Sequence, residues 1–281
     1  MNHRTATTPD ATTPGNSAIP DAITPIHVPT PGLAALPDEV PDLRTAVARL
    51  TEALAGQAGD PGQGCLSCYG EEEVAELRDP HAPLADDLVQ YTARDLTHWP
   101  RPAQAARRVL PRLAALAAQG EYVGELEGTA LHRAGWQDWP EDQAGAVRAF
   151  LDTYWTAALR RRDPGRPLDD VFTFCSTAHG TPAPCLARWE RERHPAADAH
   201  LADTAHGWIE DLLLDAADPA HPLWFTDPAP DAGPASQLRT WLLTHAAPRL
   251  RRRTTAPALR QALDRLHALG LPMGHGNEEA P

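Results

Sequence analysis

The sequence predicts an all-α protein of stacked helical hairpins, either a HEAT-like α-solenoid or an irregular helical bundle, behind a disordered N-terminal tail. Three observations predict this fold. Apolar residues recur at steps of three and four along most segments. Many of the 29 prolines stand where such a segment begins. Alternating β-branched segments are essentially absent, so no sheet is expected.

Composition divides the chain into three parts. Residues 1–40 are rich in Thr, Pro, Ala and Ser and show no helical or alternating period, which predicts a disordered tail. Residues 41–270 carry the amphipathic segments and are expected to form a single helical domain. Residues 271–281 are expected to form a short disordered C-terminal tail.

The amphipathic segments predict the helices in order. They cover residues 42–56, 71–77, 86–99, 102–119, 126–134, 141–161, 168–178, 184–193, 196–217, 236–246 and 257–269. Pro111 lies inside the fourth segment and is expected to kink or split it. Two similar tripeptides, His98-Trp99-Pro100 and Asp138-Trp139-Pro140, each open the second helix of a pair. They stand about 40 residues apart, a spacing typical of HEAT-like repeats.

The charged residues exclude several classes of function. All 25 basic residues are arginine. Without lysine, the chain can form no Schiff base with pyridoxal phosphate and can place no P-loop or kinase lysine on a phosphate. Neither a G-x-G-x-x-G nor a G-x-S-x-G motif occurs. Nucleotide enzymes of these types and α/β-hydrolases are therefore excluded.

Charge and hydropathy also limit the partners and the compartment. The net charge of −13 repels nucleic acid. The arginine runs at residues 160–162 and 249–253 end predicted helices, where cations interact favourably with the helix dipole. No secretory signal and no long apolar run occur, so we expect no membrane association and a cytoplasmic protein. Four cysteines in so long a chain indicate reduced thiols.

Cys65-Leu66-Ser67-Cys68 is the sharpest local motif. A redox pair, half of a zinc site and two ordinary thiols are the three interpretations. A thioredoxin-like pair follows a strand and stands at a helix N-terminus, which stabilises the thiolate. Here a Gly/Pro loop precedes the pair, and three glutamates at residues 71–73 follow it. Because these carboxylates should raise the pKa of a thiolate, the redox interpretation is the least favoured.

A structural zinc site needs four ligands in tetrahedral geometry. Cys175 and His179 lie four residues apart on one predicted helix face and would complete a site with Cys65 and Cys68. His81 and Cys185 are substitutes. Such a site would attach the loop to the helical body. The competing interpretation is that Cys175 is a core residue and that His179 only ends a helix before Gly180.

A second set of residues combines carboxylates and histidines. Asp95-x-x-His98 and Asp203-x-x-His206 each place an acid and an imidazole on one predicted helix face, and Glu210 follows His206 by one turn. Di-iron bundles use a similar Glu-x-x-His pattern twice. Aspartate replaces glutamate here. Chance pairing among 13 histidines is the simpler explanation.

The stretch from Cys65 to Trp155 resembles a group of bacterial CxxC-containing helical proteins of no known function. The resemblance is carried by Cys65-x-x-Cys68 before an acidic helix start, by the segment LPRL at residues 110–113 and by AGWQDWP at residues 134–140. It implies no activity, ligand or site residue.

We therefore expect a non-enzymatic helical protein that binds a protein partner, with structural zinc as an option. A carboxylate/histidine metalloenzyme of the di-iron type is the alternative.

Overall fold

A computed structural model describes residues 41–217, 233–253 and 257–270. Within these ranges the regular structure is helical and no strand occurs, which confirms the all-α prediction. The tails predicted at residues 1–40 and 271–281 lie outside the described residues.

The helices follow the predicted segments closely. Their bounds are α1 Pro41–Leu54, α2 Glu71–Arg78, α3 Asp86–Arg94, α4 Pro102–Ala118, α5 Glu125–Arg133, α6 Glu141–Arg160, α7 Leu168–His179, α8 Ala183–Arg191, α9 Pro195–Ala217, α10 Pro234–Trp241, α11 Ala247–Arg253 and α12 Pro257–Gly270. Short 3₁₀ turns at Leu96–His98 and Trp136–Asp138 precede α4 and α6. The two Trp-Pro tripeptides therefore share one local structure, a 3₁₀ turn that leads into a long helix.

Local chemistry explains where the helices begin and end. Proline is the first residue of α1, α4, α9, α10 and α12, where its missing N–H costs nothing. Glu73 accepts a hydrogen bond from the Gly70 N–H at 2.7 Å and caps α2. Glu127 caps α5 in the same way through the Gly124 N–H at 2.9 Å. At the end of α7, Gly180 adopts a left-handed conformation (φ 73°) after His179.

Two helices differ from the prediction. The expected split at Pro111 does not occur, and α4 runs through this residue without interruption. Its neighbours Leu110 and Leu113 are buried, so continuing the helix gains more than one lost backbone hydrogen bond costs. The segment predicted at residues 236–246 is α10 followed by one turn of π-helix at Leu242–Ala246, and it continues into α11.

The helices pack as an irregular bundle. Buried side chains from Leu43 in α1 to Leu266 in α12 form one continuous hydrophobic cluster. Helix α1 packs against α4 and α6, while α5 packs against α7. In a solenoid each repeat touches only its neighbours, so the contact between α1 and α6 does not fit a simple stack of hairpins.

Tryptophans tie the helices of the second half together. The indole N–H of Trp155 donates to the Cys185 carbonyl at 2.9 Å, and that of Trp189 donates to the Ala197 carbonyl at 3.0 Å. The rings of Trp155 and Trp189 meet edge to face with centroids 5.4 Å apart. Each of these side chains therefore buries a large apolar surface and also satisfies its one donor.

Within the described ranges, no helix has the length and apolar character that a membrane span requires.

The two arginine runs make intramolecular contacts. Arg249 donates to Asp198 at 2.5 Å and to the Trp189 carbonyl at 3.1 Å. Arg160 pairs with the buried Glu192 at 3.1 Å. One arginine of each run therefore stabilises contacts between helices.

Candidate dithiol site

The loop between α1 and α2 carries Cys65 and Cys68, and residues near the start of α4 fix its path. The Gly59 N–H donates to Gln104 Oε1 at 2.9 Å, and the Pro61 carbonyl accepts from the Arg101 N–H at 3.2 Å. Asp60 pairs with Arg78 of α2 at 3.1 Å. The loop is thus anchored at residues 59–61 before it reaches the first thiol.

Gly64 lies directly against the indole ring of Trp99. A Cβ atom on this glycine would stand 2.6 Å from the ring carbon Cη2, closer than any real contact. Trp99 is itself buried and belongs to the main hydrophobic cluster. Only glycine allows the loop backbone to approach this ring, so the close contact fixes the residue just before Cys65.

Cys65 and Cys68 face each other across one tight turn. The Cys65 carbonyl accepts hydrogen bonds from the N–H groups of Cys68 at 2.9 Å and Tyr69 at 3.0 Å. A turn of this kind brings the first and fourth Cα atoms within about 7 Å, close to the range that a disulfide spans. Both cysteines are unpaired and exposed. The two thiols are therefore free to react.

The two thiols differ in their electrostatic surroundings. A hydrogen bond from the Cys68 thiol lowers the pKa of Cys65, and the backbone N–H groups of Ser67 and Cys68 lower it further. The pKa of Cys68 is raised, first by its hydrogen bond with Cys65 and by desolvation, then by the negative charges of Cys65 and Asp95. The two thiols therefore ionise as a pair, and the directions of the shifts favour the first negative charge on Cys65.

This asymmetry corrects an expectation from the sequence. The glutamates at residues 71–73 were expected to raise the thiolate pKa, yet the pKa of Cys65 is lowered. The largest causes are hydrogen-bond donors from the turn itself. For the pKa of Cys65, hydrogen-bond donors in direct contact with the sulfur outweigh any effect of these exposed carboxylates.

Aromatic side chains surround the dithiol. The Tyr69 ring is buried between Tyr91 and Trp99, with centroid distances of 5.1 and 5.0 Å and edge-to-face geometry. The Trp99 indole N–H donates to the Tyr69 hydroxyl at 3.2 Å. Tyr91 is 45% exposed, and its hydroxyl acts on Cys68 by lowering the pKa of that thiol. Leu66, between the two cysteines, is 51% exposed.

Asp95 joins the dithiol to the second sequence motif. The Tyr69 hydroxyl donates to Asp95 Oδ2 at 3.2 Å, and His98 Nδ1 lies 2.5 Å from Asp95 Oδ1. Asp95 follows the last residue of α3, and His98 ends the 3₁₀ turn, so the pair does not lie on one α-helix face as predicted. The motifs Cys65-x-x-Cys68 and Asp95-x-x-His98 therefore contribute to a single site.

The structure does not bring the four predicted zinc ligands together. Cys65 and Cys68 lie at the surface, whereas Cys175 is buried in α7 beside Cys185, and burial raises the pKa of the Cys175 thiol. His179 packs edge to face on Trp136 with centroids 5.8 Å apart. Among the described residues, no group of three or more His, Cys, Asp or Glu side chains is arranged to bind a metal ion. Zinc bound by the Cys65–Cys68 pair stays a prediction, which metal analysis of the untagged protein and its Cys65→Ser variant tests.

Within the described residues, the side chains expected for a di-iron site do not lie together. Asp203 and His206 are exposed on α9, and Glu210 of that helix pairs with Arg265 of α12 at 3.2 Å. Asp95 and His98 pair with each other at the dithiol. The two Asp-x-x-His motifs thus have separate surroundings.

Comparisons of the chain with protein-family models, with curated proteins and with solved structures give no match. The resemblance to bacterial CxxC-containing helical proteins stays a prediction.

Sequence reasoning missed the aromatic members of the site. Tyr69 directly follows Cys68, and Trp99 directly follows His98. These adjacent aromatic residues were the available signal that the two motifs share one environment. Tyr91 carried no such signal, because its contact with Cys68 depends on how α3 lies beside the loop.

Proposed function

We propose that this helical protein exchanges disulfides with a partner protein through Cys65 and Cys68. The observation that carries the proposal is the pairing of two exposed thiols on one turn, where the surroundings also lower the pKa of Cys65. Thiolates are the reactive form in disulfide exchange. A stabilised thiolate beside a protonated second thiol is the arrangement that this reaction needs.

The reaction has two steps. The Cys65 thiolate attacks one sulfur of the partner's disulfide, and a mixed disulfide forms while one partner thiolate leaves and takes a proton from water. Cys68 then loses its proton, and its sulfur attacks the Cys65 sulfur, which releases the second partner thiolate. The two protein thiols become one disulfide, and the partner's disulfide becomes two thiols. No further oxidant or reductant is consumed.

The neighbouring side chains act mainly on the second step. The Asp95 charge keeps the proton on Cys68 while Cys65 attacks. Once the mixed disulfide has removed the negative charge from Cys65, the Tyr91 hydroxyl is the donor that stabilises the Cys68 thiolate. Tyr91 is therefore a positioning residue for ring closure.

Exposed apolar groups beside the thiols favour a protein partner. Leu66 and Tyr91 flank the sulfur atoms and expose about half of their surfaces. Side chains of this type are enriched where proteins bind one another. All four cysteines are unpaired, which suits a reducing compartment, so we propose that the exchange takes place in the cytoplasm. This proposal keeps the protein partner expected from the sequence and adds a reaction to it.

Exchange with a neutral small disulfide tests the proposal. The fully reduced chain is mixed with 2-hydroxyethyl disulfide, and intact mass and peptide mapping follow the products. We expect a Cys65–Cys68 disulfide and two released thiols per chain, while the buried Cys175 and Cys185 stay unmodified as an internal control. The Cys68→Ser variant should stop at a mixed disulfide on Cys65.

A peptide of residues 60–70 is the matched reference, because it carries both thiols without the surrounding fold. The folded chain should react faster than this peptide near neutral pH. Equal rates, or thiols that stay reduced, would contradict the proposal.

A further inference from the structure

We infer that the disulfide accepted at Cys65 is flanked by positively charged side chains of the partner. This inference rests on the proposed exchange and names its substrate class. The argument comes from the charged residues around the dithiol.

The unpaired charges nearest in sequence to the dithiol are carboxylates. Helix α2 begins three residues after Cys68 with Glu71, Glu72 and Glu73, all exposed. Glu73 is used as a cap for the helix. Within the described part of the chain, Glu71 and Glu72 make no hydrogen bond or ion pair. Their charges therefore face solvent three and four residues after Cys68 in the chain.

Asp95 adds a negative charge on the other side of the turn. Its charge acts on both Cys68 and Tyr91, which places it within electrostatic range of the reaction. The carboxylate is held by the Tyr69 hydroxyl at 3.2 Å and by His98 at 2.5 Å. A partner that approaches the dithiol meets carboxylates along both α2 and the end of α3.

Three arginines of the surrounding elements are paired with acids. Arg94 of α3 lies 2.5 Å from the buried carboxylate of Glu127. Arg78 of α2 and Arg101 before α4 share Asp60, at 3.1 and 3.6 Å. These three cations face two carboxylates, so one positive charge is left over against the carboxylates of Glu71, Glu72, Glu73 and Asp95.

A negative field beside an exposed reactive group accelerates the approach of cations and slows that of anions. The net charge of −13 on the whole chain acts in the same direction. Leu66 and Tyr91 offer an apolar surface that the disulfide itself can contact. The chemistry that suits this surface is an apolar disulfide between arginine or lysine side chains.

Three small disulfides of different charge separate the inference from the proposed exchange. Cystamine is a dication, 2-hydroxyethyl disulfide is neutral and dithiodiglycolate is a dianion at neutral pH. Each rate is measured for the full chain and for Glu71→Gln/Glu72→Gln, because the ratio of the two cancels the intrinsic reactivity of the disulfide. We expect the variant to slow cystamine severalfold, to accelerate the dianion and to leave the neutral disulfide unchanged.

The control is Glu141→Gln/Asp142→Asn, which removes the same charge from the first turn of α6. This control should leave all three rates unchanged, and added salt should reduce the preference of the original chain for cystamine. The inference is wrong if the α2 variant changes no rate or if both variants have equal effects. In that case, exchange with the neutral disulfide would still support the proposed function. If none of the three disulfides reacts, both are wrong.

The final measurement uses peptides with one disulfide flanked by two arginines or by two glutamates. The arginine peptide should react faster on the order of tenfold at low salt. Equal rates would overturn the preference for a cationic protein segment.

Discussion

The Tyr69 hydroxyl donates to Asp95 Oδ2 at 3.2 Å, and through this bond the loop that carries the thiols contacts the end of α3. The same hydroxyl accepts from the Trp99 indole N–H at 3.2 Å. Tyr69 is buried, so its bond with the Trp99 indole is shielded from water and the indole has no ready substitute, while Asp95 is partly exposed. One oxygen atom therefore links the loop, α3 and the segment that precedes α4.

Replacing Tyr69 with phenylalanine should remove the two hydrogen bonds of the hydroxyl without creating a cavity in the core. The variant keeps the ring contacts with Tyr91 and Trp99 but leaves a buried indole donor unsatisfied. We expect the free energy of unfolding to fall by about 1–3 kcal/mol. Urea denaturation measures the loss, and the alkylation rate of Cys65 reports whether the turn has changed. An unchanged stability would show that water replaces the hydroxyl at no cost.

Replacing two glycines in helix interiors with alanine should change the free energy of unfolding in opposite directions. Gly128 of α5 packs against α7, and a Cβ there would overlap the Thr177 hydroxyl and stand 2.5 Å from the Phe174 carbonyl oxygen. Gly207 of α9 has no atom within 4 Å of its added Cβ among the described residues. Gly128→Ala should therefore destabilise by about 1–3 kcal/mol because α5 and α7 must separate. Gly207→Ala should stabilise by about 0.5–1 kcal/mol through helix propensity.

Thermal and urea denaturation of the two alanine variants measure both changes in the free energy of unfolding. A neutral Gly128→Ala would mean that α5 and α7 can shift apart freely, against the tight packing that the structure describes.

Glu127 carries the most deeply buried carboxylate of the ion pairs described above. It is 1% exposed, lies 2.5 Å from Arg94 and caps α5 through the Gly124 N–H. Glu127→Gln removes the charge and weakens both contacts, so we expect a loss of about 1–3 kcal/mol, reduced because Arg94 remains partly exposed. Glu141→Gln breaks the exposed Arg148 pair at 3.4 Å and should change stability by less than about 0.5 kcal/mol. Equal effects of the two variants in urea denaturation would contradict this ranking.

The helices could be predicted because each has a one-sided apolar pattern and a recognisable start. In α1, Leu43, Val47, Leu50 and Leu54 recur at helical spacing, and all four are buried. The contact between α1 and α6 could not be predicted, because periodicity identifies which face is buried but not which helix covers it. The helix split predicted at Pro111 is wrong, since tertiary packing on both sides of this residue outweighs its local cost.

The candidate site was visible in the sequence only as two separate motifs. Cys65-x-x-Cys68 and Asp95-x-x-His98 are joined by the buried Tyr69, and this contact exists only once Gly64 lies against Trp99. The zinc prediction combined Cys65 and Cys68 with Cys175 and His179 because the latter two share one helix face, but this spacing does not indicate what lies against that face. Cys175 is instead covered by the helices around α7, where an apolar stripe places it in the core.

His179 should make the stability depend on pH in the mildly acidic range. Its side chain is 9% exposed, and desolvation lowers its pKa, while the more distant Asp152 raises it only in part. The unfolded chain then binds a proton at a higher pH than the folded one, so stability falls as the pH drops below about 6.5 and through the folded pKa. His179→Gln should make the stability less dependent on pH between about 7 and 5. Urea denaturation at several pH values measures this dependence, and a steeper fall in the His179 variant would show that the folded protein favours the charged imidazole instead.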